Sequence, residues 1–385
     1  MSKNTHIAFV MPWHISERGG GAEVQANYLS EELASRGFQV TYICQTIHNI
    51  KINTIETIGK VRVHWLKPSG KFHWVDQNKY YSKLKSIRPN IVIQRLSSNV
   101  SYSIGNYCSK YNAKFVWVCT DNMSPYRDYH VRKLKKNNTV KKVGFVKFHL
   151  FLKNAQIMDW YRNHGMKHVN ISFTQNDNQY NILEEAFIIK SKRMVSGHPL
   201  PNVTKSPETK YNEKNILWCA NFGQNKRPEL FVELSIKLQK EGYNFIMVGS
   251  HSDKGYVETI LNNKPDNLLV TGQLSFEESL SYFSKAALLV NTSVSEGFSN
   301  TYIQAWLRGV PTLVYGADPD NVIKNNQLGY VAKNSNDAVE FIKNVLSDFG
   351  MYEKLSINAE NFAKENHTIE VMTNHFLCEL NVESL

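Results

Sequence analysis

IAFVMPWHISERGGGAEVQANYLSEELASRGFQVTYI, residues 7–43, is the stretch whose reading decides the fold. It opens with the apolar run Ile7 to Val10 and passes into a glycine turn, "SERGGGAE". Ala22, Ala26, Leu29 and Leu33 then recur at spacings that place them on one face of a helix. Gly37 stops that helix, and Val40 to Ile43 is a second apolar run. Strand, helix and strand in this order require a crossover connection that leaves the two strands parallel.

The alternation continues outward. "NIVIQ" (Asn90 to Gln94), "KFVWVC" (Lys114 to Cys119) and "VNISFT" (Val169 to Thr174) extend an open α/β sheet. The polar, proline-bearing stretch "GHPLPNVTKSPETKYNEKN", 197–215, interrupts it and reads as a linker. Beyond it the pattern restarts with "ILWCA" (Ile216 to Ala220), a helix from Pro228 with Phe231, Leu234 and Leu238 on one face, and a strand at Phe245. "LLVTG", a Ser275-x-x-Glu278 capping box, "ALLVN" and "TLVYG" follow. The expected organisation is two Rossmann-like α/β domains, 1–198 and 199–365, facing a central cleft, with a C-terminal helix, 366–385, able to cross back to the first domain. Clefts and strand carboxyl ends are where such folds bind ligands.

At 385 residues the chain has room for two domains, and 42% hydrophobic with 21% charged residues suits a globular protein. Its five cysteines, Cys44, Cys108, Cys119, Cys219 and Cys378, show no C-x-x-C spacing, so neither a disulfide framework nor a thiolate zinc site is indicated. The expected setting is the reducing cytoplasm. "MSKNTHIAFVMPWH" has no small-residue cleavage site and reads as a core strand. No stretch approaches the roughly 20 continuous apolar residues of a membrane span. A formal charge of +11 favours acidic partners such as nucleic acid, anionic lipid or phosphorylated small molecules.

The densest chemistry lies in "NTSVSEGFSNTYIQAWLRGVPTL", 291–313. It joins the strand "ALLVN" to a short helix from about Thr301 to Arg308, stopped by Gly309 and Pro311. Backbone N–H groups of Gly297, Phe298, Ser299, Asn300 and Thr301 suit a phosphate at the helix start. Glu296 would repel that phosphate and fits instead as an acceptor for hydroxyls of an attached group. A sugar diphosphate meets both demands. The competing reading is a plain capped turn, in which Thr301-x-x-Gln304 forms a capping box.

This run resembles the donor-binding signature of family 4 retaining glycosyltransferases with the GT-B fold. In that family a Glu is followed after seven residues by a second Glu. Glu296 matches the first, implied to contact the transferred sugar, and Gln304 falls on the second, implied to grip the nucleotide ribose. "ILWCANFGQNKRPELFVELS" is similar to the family's segment whose Arg and Lys neutralise the donor pyrophosphate. Lys226 matches the lysine, Asn221 falls on the arginine, and Arg227 is the candidate to compensate. "KRPEL" also reads as a helix start with Pro228 in its first turn. Gly20 and Gly21 match the family's first glycine-rich loop, whose backbone is implied to face the donor phosphates.

Where many family members present an acceptor-side His after "FVWVC", this chain has Asp121, with Asn122, Arg127 and His130 nearby. Two readings stay open: a group that orients or deprotonates an acceptor hydroxyl, or an Asx turn at the strand end. From Tyr129 to Ala155 the chain carries Arg132, Lys133, Lys135, Lys136, Lys141, Lys142, Lys147 and Lys153 with no Asp or Glu. Val143, Val146 and Leu150 share a helical face amid Phe145, Phe148 and Phe151. Either an anionic membrane surface or a solvated helix accounts for this stretch. No nucleic-acid-binding motif accompanies the charge. His64, His73 and the other histidines show no metal-ligand spacing, and the resemblance likewise implies no metal and no cofactor beyond the donor itself.

The expectation is a retaining glycosyltransferase with Glu296, Lys226 and Asp121 as its catalytic set. It takes a nucleotide diphosphate sugar as donor and a glycan or lipid-linked acceptor, in cell-surface polysaccharide or glycolipid synthesis at the inner face of the plasma membrane. The alternatives are a non-catalytic nucleotide-sugar-binding partner of another transferase and a nucleotide-sugar epimerase. An NAD oxidoreductase is weaker, because G-G-G-A-E lacks the G-x-G-x-x-G spacing.

Overall fold

The computed structural model describes residues 5–70, 73–137, 144–249 and 254–381. The chain divides into two units, Met1–Ser196 with Ile369–Leu385, and Gly197–Thr368.

The first unit runs β1 (His6–Trp13), α1 (Gly21–Ser35), β2 (Gln39–Gln45), β3 (Ile55–Ile58), β4 (Val61–Leu66), α2 (Gln77–Ile87), β5 (Ile91–Arg95), α3 (Ser101–Tyr111), β6 (Lys114–Val118), α4 (Tyr129–Asn137), α5 (Phe145–Met166), β7 (Ile171–Thr174), α6 (Asp177–Phe187) and β8 (Lys192–Arg193). Its strands pair in the order β3-β4-β2-β1-β5-β6-β7-β8. All pairs are parallel except β3 with β4. Successive side chains of a strand face opposite sides, and β1 feeds both: Ile7, Phe9 and Met11 join one buried cluster, Ala8 and Val10 the other. A strand covered on both faces needs a continuous apolar run, which is why "IAFV" carries no polar residue.

Two features fix the loops above this sheet. Gly165 on α5 meets α3 so closely that an added Cβ would stand 2.1 Å from the Ser101 carbonyl. Arg162, fully buried, donates to Ser97 Oγ and to the carbonyls of Tyr126 and Ser124. It thereby ties the segment after β5 to the segment after β6.

The second unit runs α7 (Pro207–Glu213), β9 (Asn215–Cys219), α8 (Pro228–Lys237), β10 (Asn244–Val248), α9 (Lys254–Leu261), β11 (Leu268–Gly272), α10 (Phe276–Lys285), β12 (Leu288–Asn291), α11 (Asn300–Trp306), β13 (Thr312–Val314), α12 (Val322–Asn325), β14 (Gly329–Val331), α13 (Ser335–Val345) and α14 (Phe349–Asn366). Its sheet has the order β11-β10-β9-β12-β13-β14 and is parallel throughout. The Ser275–Glu278 capping box forms at α10. Within the stretch that reads as a linker, Ser206 caps α7 by accepting from the Thr209 N–H, with Pro207 in the first turn. The polarity of that stretch belongs to a short helix largely on the surface.

A last helix, α15 (Ile369–Glu379), belongs to the first unit. Its Met372, Phe376 and Leu377 enter the cluster that holds Ile7 and Phe9, and Phe376 stacks on Phe173 at 5.3 Å.

Candidate functional site

In each sheet the chain builds outward in one direction, returns to the centre and builds in the other. The reversal lies between β9 and β12 in the second unit and between β1 and β5 in the first. The carboxyl ends of strands at such a switch point diverge into a crevice, the usual ligand position in an open α/β sheet.

In the second unit this crevice gathers the two motif segments. Lys226, after β9, places Nζ 2.6 Å from Oε1 of Glu296, after β12. Asn291 Nδ2, at the end of β12, donates to the same oxygen at 3.3 Å. The side chains of Lys226 and Glu296 are 29% and 12% exposed, so the pair is shielded yet reachable from solvent. Backbone links hold the segments together. Thr292 Oγ1 donates to the Lys226 carbonyl at 2.5 Å and accepts from Trp218 Nε1 at 2.9 Å, and Val294 N–H donates to the Asn225 carbonyl at 2.9 Å.

Arg227 has a different position from Lys226. Its backbone is left-handed, φ 43°, at the cap of α8. Its guanidinium donates to the carbonyls of Thr292 at 2.7 Å and Tyr315 at 3.1 Å. These bonds spend Nε and one terminal nitrogen on fastening the ends of β12 and β13. Asn291, Thr292 and Trp218, which motif reading passes over, do the same work of positioning. Their signal in sequence was only their place at strand ends.

Gly297, Phe298, Ser299 and Asn300 are all half-buried. The Phe298 ring lies 4.9 Å from the His367 ring and 6.1 Å from that of Trp306, which anchors the loop inward. The cap of α11 is Ser299, whose side chain makes no capping bond and instead meets Thr301 Oγ1 at 2.8 Å. The Thr301–Gln304 capping box is therefore not formed: Thr301 is already inside the helix, two positions past the cap. Gln304 is 6% exposed, and its carbonyl accepts from Arg308 at 2.9 Å. Asn221 is exposed just past β9. Buried His198 hydrogen-bonds Asn300, and burial chiefly, with Arg308 nearby, pushes its pKa down to about 3.

In the first unit, Gly20 caps α1 and Gly21 begins it. Gly20 has φ −148°, so no positive φ demands a glycine there. An added Cβ would meet only the carboxyl end of the Glu23 side chain, at 2.5 Å, which can turn aside. Burial raises the pKa of that carboxyl. Asp121 accepts from the N–H groups of Met123 at 2.8 Å and Ser124 at 2.9 Å, and from Ser124 Oγ at 2.9 Å. This is the Asx turn, with both carboxylate oxygens engaged.

A cavity of about 450 Å³ opens at the first unit's switch point, lined by the end of β1 (Val10 to Trp13), the segment Ser97 to Val100 after β5, and side chains of α4 and α5. The basic stretch flanks it. Arg132, Lys133, Lys135 and Lys136 are on α4, Lys147 and Lys153 on α5, and Lys141, Lys142 and Val143 lie outside the described residues. Phe145, Val146 and Leu150 are 67%, 72% and 63% exposed. Among the described residues no three His, Cys, Asp or Glu side chains gather as a metal site, and no helix is long and apolar enough to cross a membrane.

Residues 213–348 match the family described as Glycosyl transferases group 1. No curated protein sequence matches the chain. Among solved structures, HepE of Anabaena in complex with UDP and glucose is 11% identical with a TM-score of 0.70, covering 98% of this chain and 100% of its own. Sucrose-phosphate synthase of Thermosynechococcus elongatus is 14% identical with a TM-score of 0.73, covering 98% of each. WaaG, a glycosyltransferase involved in lipopolysaccharide biosynthesis, is 12% identical with a TM-score of 0.68, covering 97% of this chain and 99% of its own. These likenesses show the fold, which is GT-B, and the group 1 match lies within the second unit.

Proposed function

We propose that this chain transfers a glycosyl group, with retention of configuration, from a nucleoside diphosphate sugar held by its second unit to a hydroxyl of an acceptor held by its first. The Lys226–Glu296 pair at the second unit's switch point carries the reading. It offers a cation for the diphosphate and, beside it, a carboxylate for the sugar's hydroxyls, within the segment that matches the group 1 family. That HepE was crystallised with UDP and glucose makes UDP-sugars the first donors to try.

In the step itself the bond from the anomeric carbon to the phosphate oxygen breaks, and the nucleoside diphosphate leaves with the electron pair. The acceptor oxygen bonds to the same face of that carbon, and its proton passes to the departing phosphate. Stabilising the leaving anion is the main demand, and Lys226 with the N–H groups of 297–301 supplies it without a metal ion or a side-chain nucleophile. Gln304 offers its side-chain amide oxygen to the ribose, its main-chain carbonyl being held by Arg308. Because both Asp121 oxygens are held in their turn, we give that residue no proton to move.

The setting we propose is cell-surface glycan or glycolipid synthesis, with the α4–α5 face resting on anionic lipid. Its exposed Phe145, Val146 and Leu150 lie among six described cations on those helices. Each basic residue near such a surface contributes about 1 kcal/mol. Sedimentation with anionic vesicles but not zwitterionic ones supports that placement, and equal recovery with both removes it.

The test of function is a panel of nucleotide sugars scored by thermal stabilisation, since a ligand that binds only the folded state raises its stability. Positive donors are then followed for release of nucleoside diphosphate with glycan acceptors. Stabilisation with turnover is the expected result. Binding without turnover across the acceptor panel favours a non-catalytic partner, and no binding at all refutes the proposal.

A further inference from the structure

We infer that the 450 Å³ cavity of the first unit holds a sugar bearing an anionic group, a phosphoryl or a carboxylate, and that Lys133 takes the charge. The inference rests on the reading of this unit as the acceptor's, and it names the chemical class of that acceptor.

Four observations carry it. Among the described residues the cavity walls contain no Asp or Glu, and Lys133 is their one Lys or Arg side chain. An ionised carboxylate is the acceptor-only side chain that best takes hydrogen bonds from the ring hydroxyls of a neutral sugar, and this wall offers none. A wall of donors suits a ligand that brings its own negative oxygens.

The donors converge from two elements, α4 and the segment after β5. His130 and Lys133, three positions apart on α4, share one helical face and both line the cavity. His130 Nε2 is buried without a hydrogen-bond partner among the described residues. The acid on the neighbouring helix, Asp159, accepts instead from the backbone N–H groups of His130 at 2.8 Å and Val131 at 3.1 Å. Ser97 Oγ accepts from Arg162 Nε, and Ser98 Oγ accepts from Gln94 Nε2 at 3.0 Å. Each hydroxyl is thus turned by a donor to offer its proton elsewhere.

The field has the same sign. The cavity includes Val100, the residue that caps α3, so the positive end of that helix dipole lies in its wall. The N–H groups of Ser101 and Tyr102 already bond back to the carbonyls of Ser98 and Asn99, so α3 contributes potential rather than free donors. Arg18 stacks on Trp13 with its guanidinium carbon 4.1 Å from the ring centre, adding a second cation behind a wall residue. Trp13 and Phe151 supply apolar surface for a ring, and the volume lies in the range of small-ligand sites.

Isothermal titration of the whole chain with glucose 1-phosphate, glucuronate, methyl glucoside and inorganic phosphate tests this, with UDP as control. The expected result is that a charged sugar binds about tenfold tighter than methyl glucoside, the worth of one charge-assisted contact. Lys133→Gln should erase that preference and leave UDP binding unchanged. Lys133 is exposed, so retained UDP binding certifies the fold of the variant. Preference for glucose 1-phosphate assigns a phosphoryl group, and preference for glucuronate a carboxylate. Equal binding of charged and neutral sugars, survival of the preference in Lys133→Gln, or inorganic phosphate binding as tightly as the sugars overturns the inference. A wild-type chain that binds no nucleotide refutes the proposed function instead, so the two failures are distinct.

Discussion

Glu296→Gln has two expected effects of opposite sign. In the free protein the Lys226 ammonium is 2.6 Å from the Glu296 carboxylate, so a diphosphate that draws on Lys226 competes with that carboxylate. An open surface pair is worth about 0–1 kcal/mol, and breaking a fully buried one costs about 3–5 kcal/mol. Exposures of 29% and 12% place this pair between them but nearer the surface, and about 1 kcal/mol is the working value. Glutamine keeps the shape but drops the charge, so UDP, which has no sugar to lose, should bind about fivefold tighter. Transfer should fall about 10- to 100-fold, because the lost bond from a sugar hydroxyl to a charged group is worth about 1.5–3 kcal/mol. Titration calorimetry with UDP and a nucleotide-release assay read the two effects separately. UDP affinity that stays level or drops refutes the competition for Lys226, and unchanged transfer refutes the contact of Glu296 with the sugar.

Three more perturbations address other parts of the molecule. Asp121→Asn retains an oxygen for the Met123 and Ser124 N–H groups, so turnover should stay within about threefold; a hundredfold drop, about 2.7 kcal/mol, would restore the proton-transfer role. Gly165→Ala forces a Cβ to within 2.1 Å of the Ser101 carbonyl and should cost about 3 kcal/mol in urea unfolding; a loss below about 1 kcal/mol would mean that α3 and α5 separate cheaply. His198 has a folded pKa of about 3 against 6.5 for the free side chain, so the folded chain binds fewer protons. Its contribution is complete above pH 6.5 and falls as pH drops toward 3, at up to about 1.4 kcal/mol per unit. His198→Gln should flatten the slope between pH 6.5 and 5 in denaturant titrations, and an unaltered slope would show that His198 does not titrate with unfolding.

What the sequence made legible follows from how local each signal is. The run Ile7–Val10, the periodic α1 and the stop at Gly37 place three elements within one window, and the α/β alternation elsewhere is equally local. The hairpin of β3 and β4 is not, because Ile55 is 60% exposed on an edge strand and shows no alternating pattern. Helix α5 was only half readable: its exposed face carries Phe145, Leu150 and Trp160, while its buried face carries Asp159 and Arg162, reversing the usual polarity. Buried charges are retained where they are fully hydrogen-bonded, and Arg162 spends its donors on loops more than thirty residues away in sequence. The pairing of Lys226 with Glu296 spans 70 positions and arises from the adjacency of β9 and β12, a property of strand order that no linear motif encodes. The Asp121 turn shows the reverse case, in which two readings of one residue differ only in what its oxygens touch.

Helix α15 has a consequence for how the molecule is made. The chain leaves the first unit at Ser196 and rejoins it at Ile369, and the second unit is a single contiguous segment in between. During synthesis that segment can emerge and close its own parallel sheet while the first unit still lacks Met372, Phe376 and Leu377 from its core. The part encoded first is therefore completed last, and until then it exposes the Phe173 surface that Phe376 covers. A ribosome stalled once Thr368 has emerged would carry a finished second unit tethered to an unfinished first one, which gives chaperones and proteases a clear distinction between the two halves of one chain.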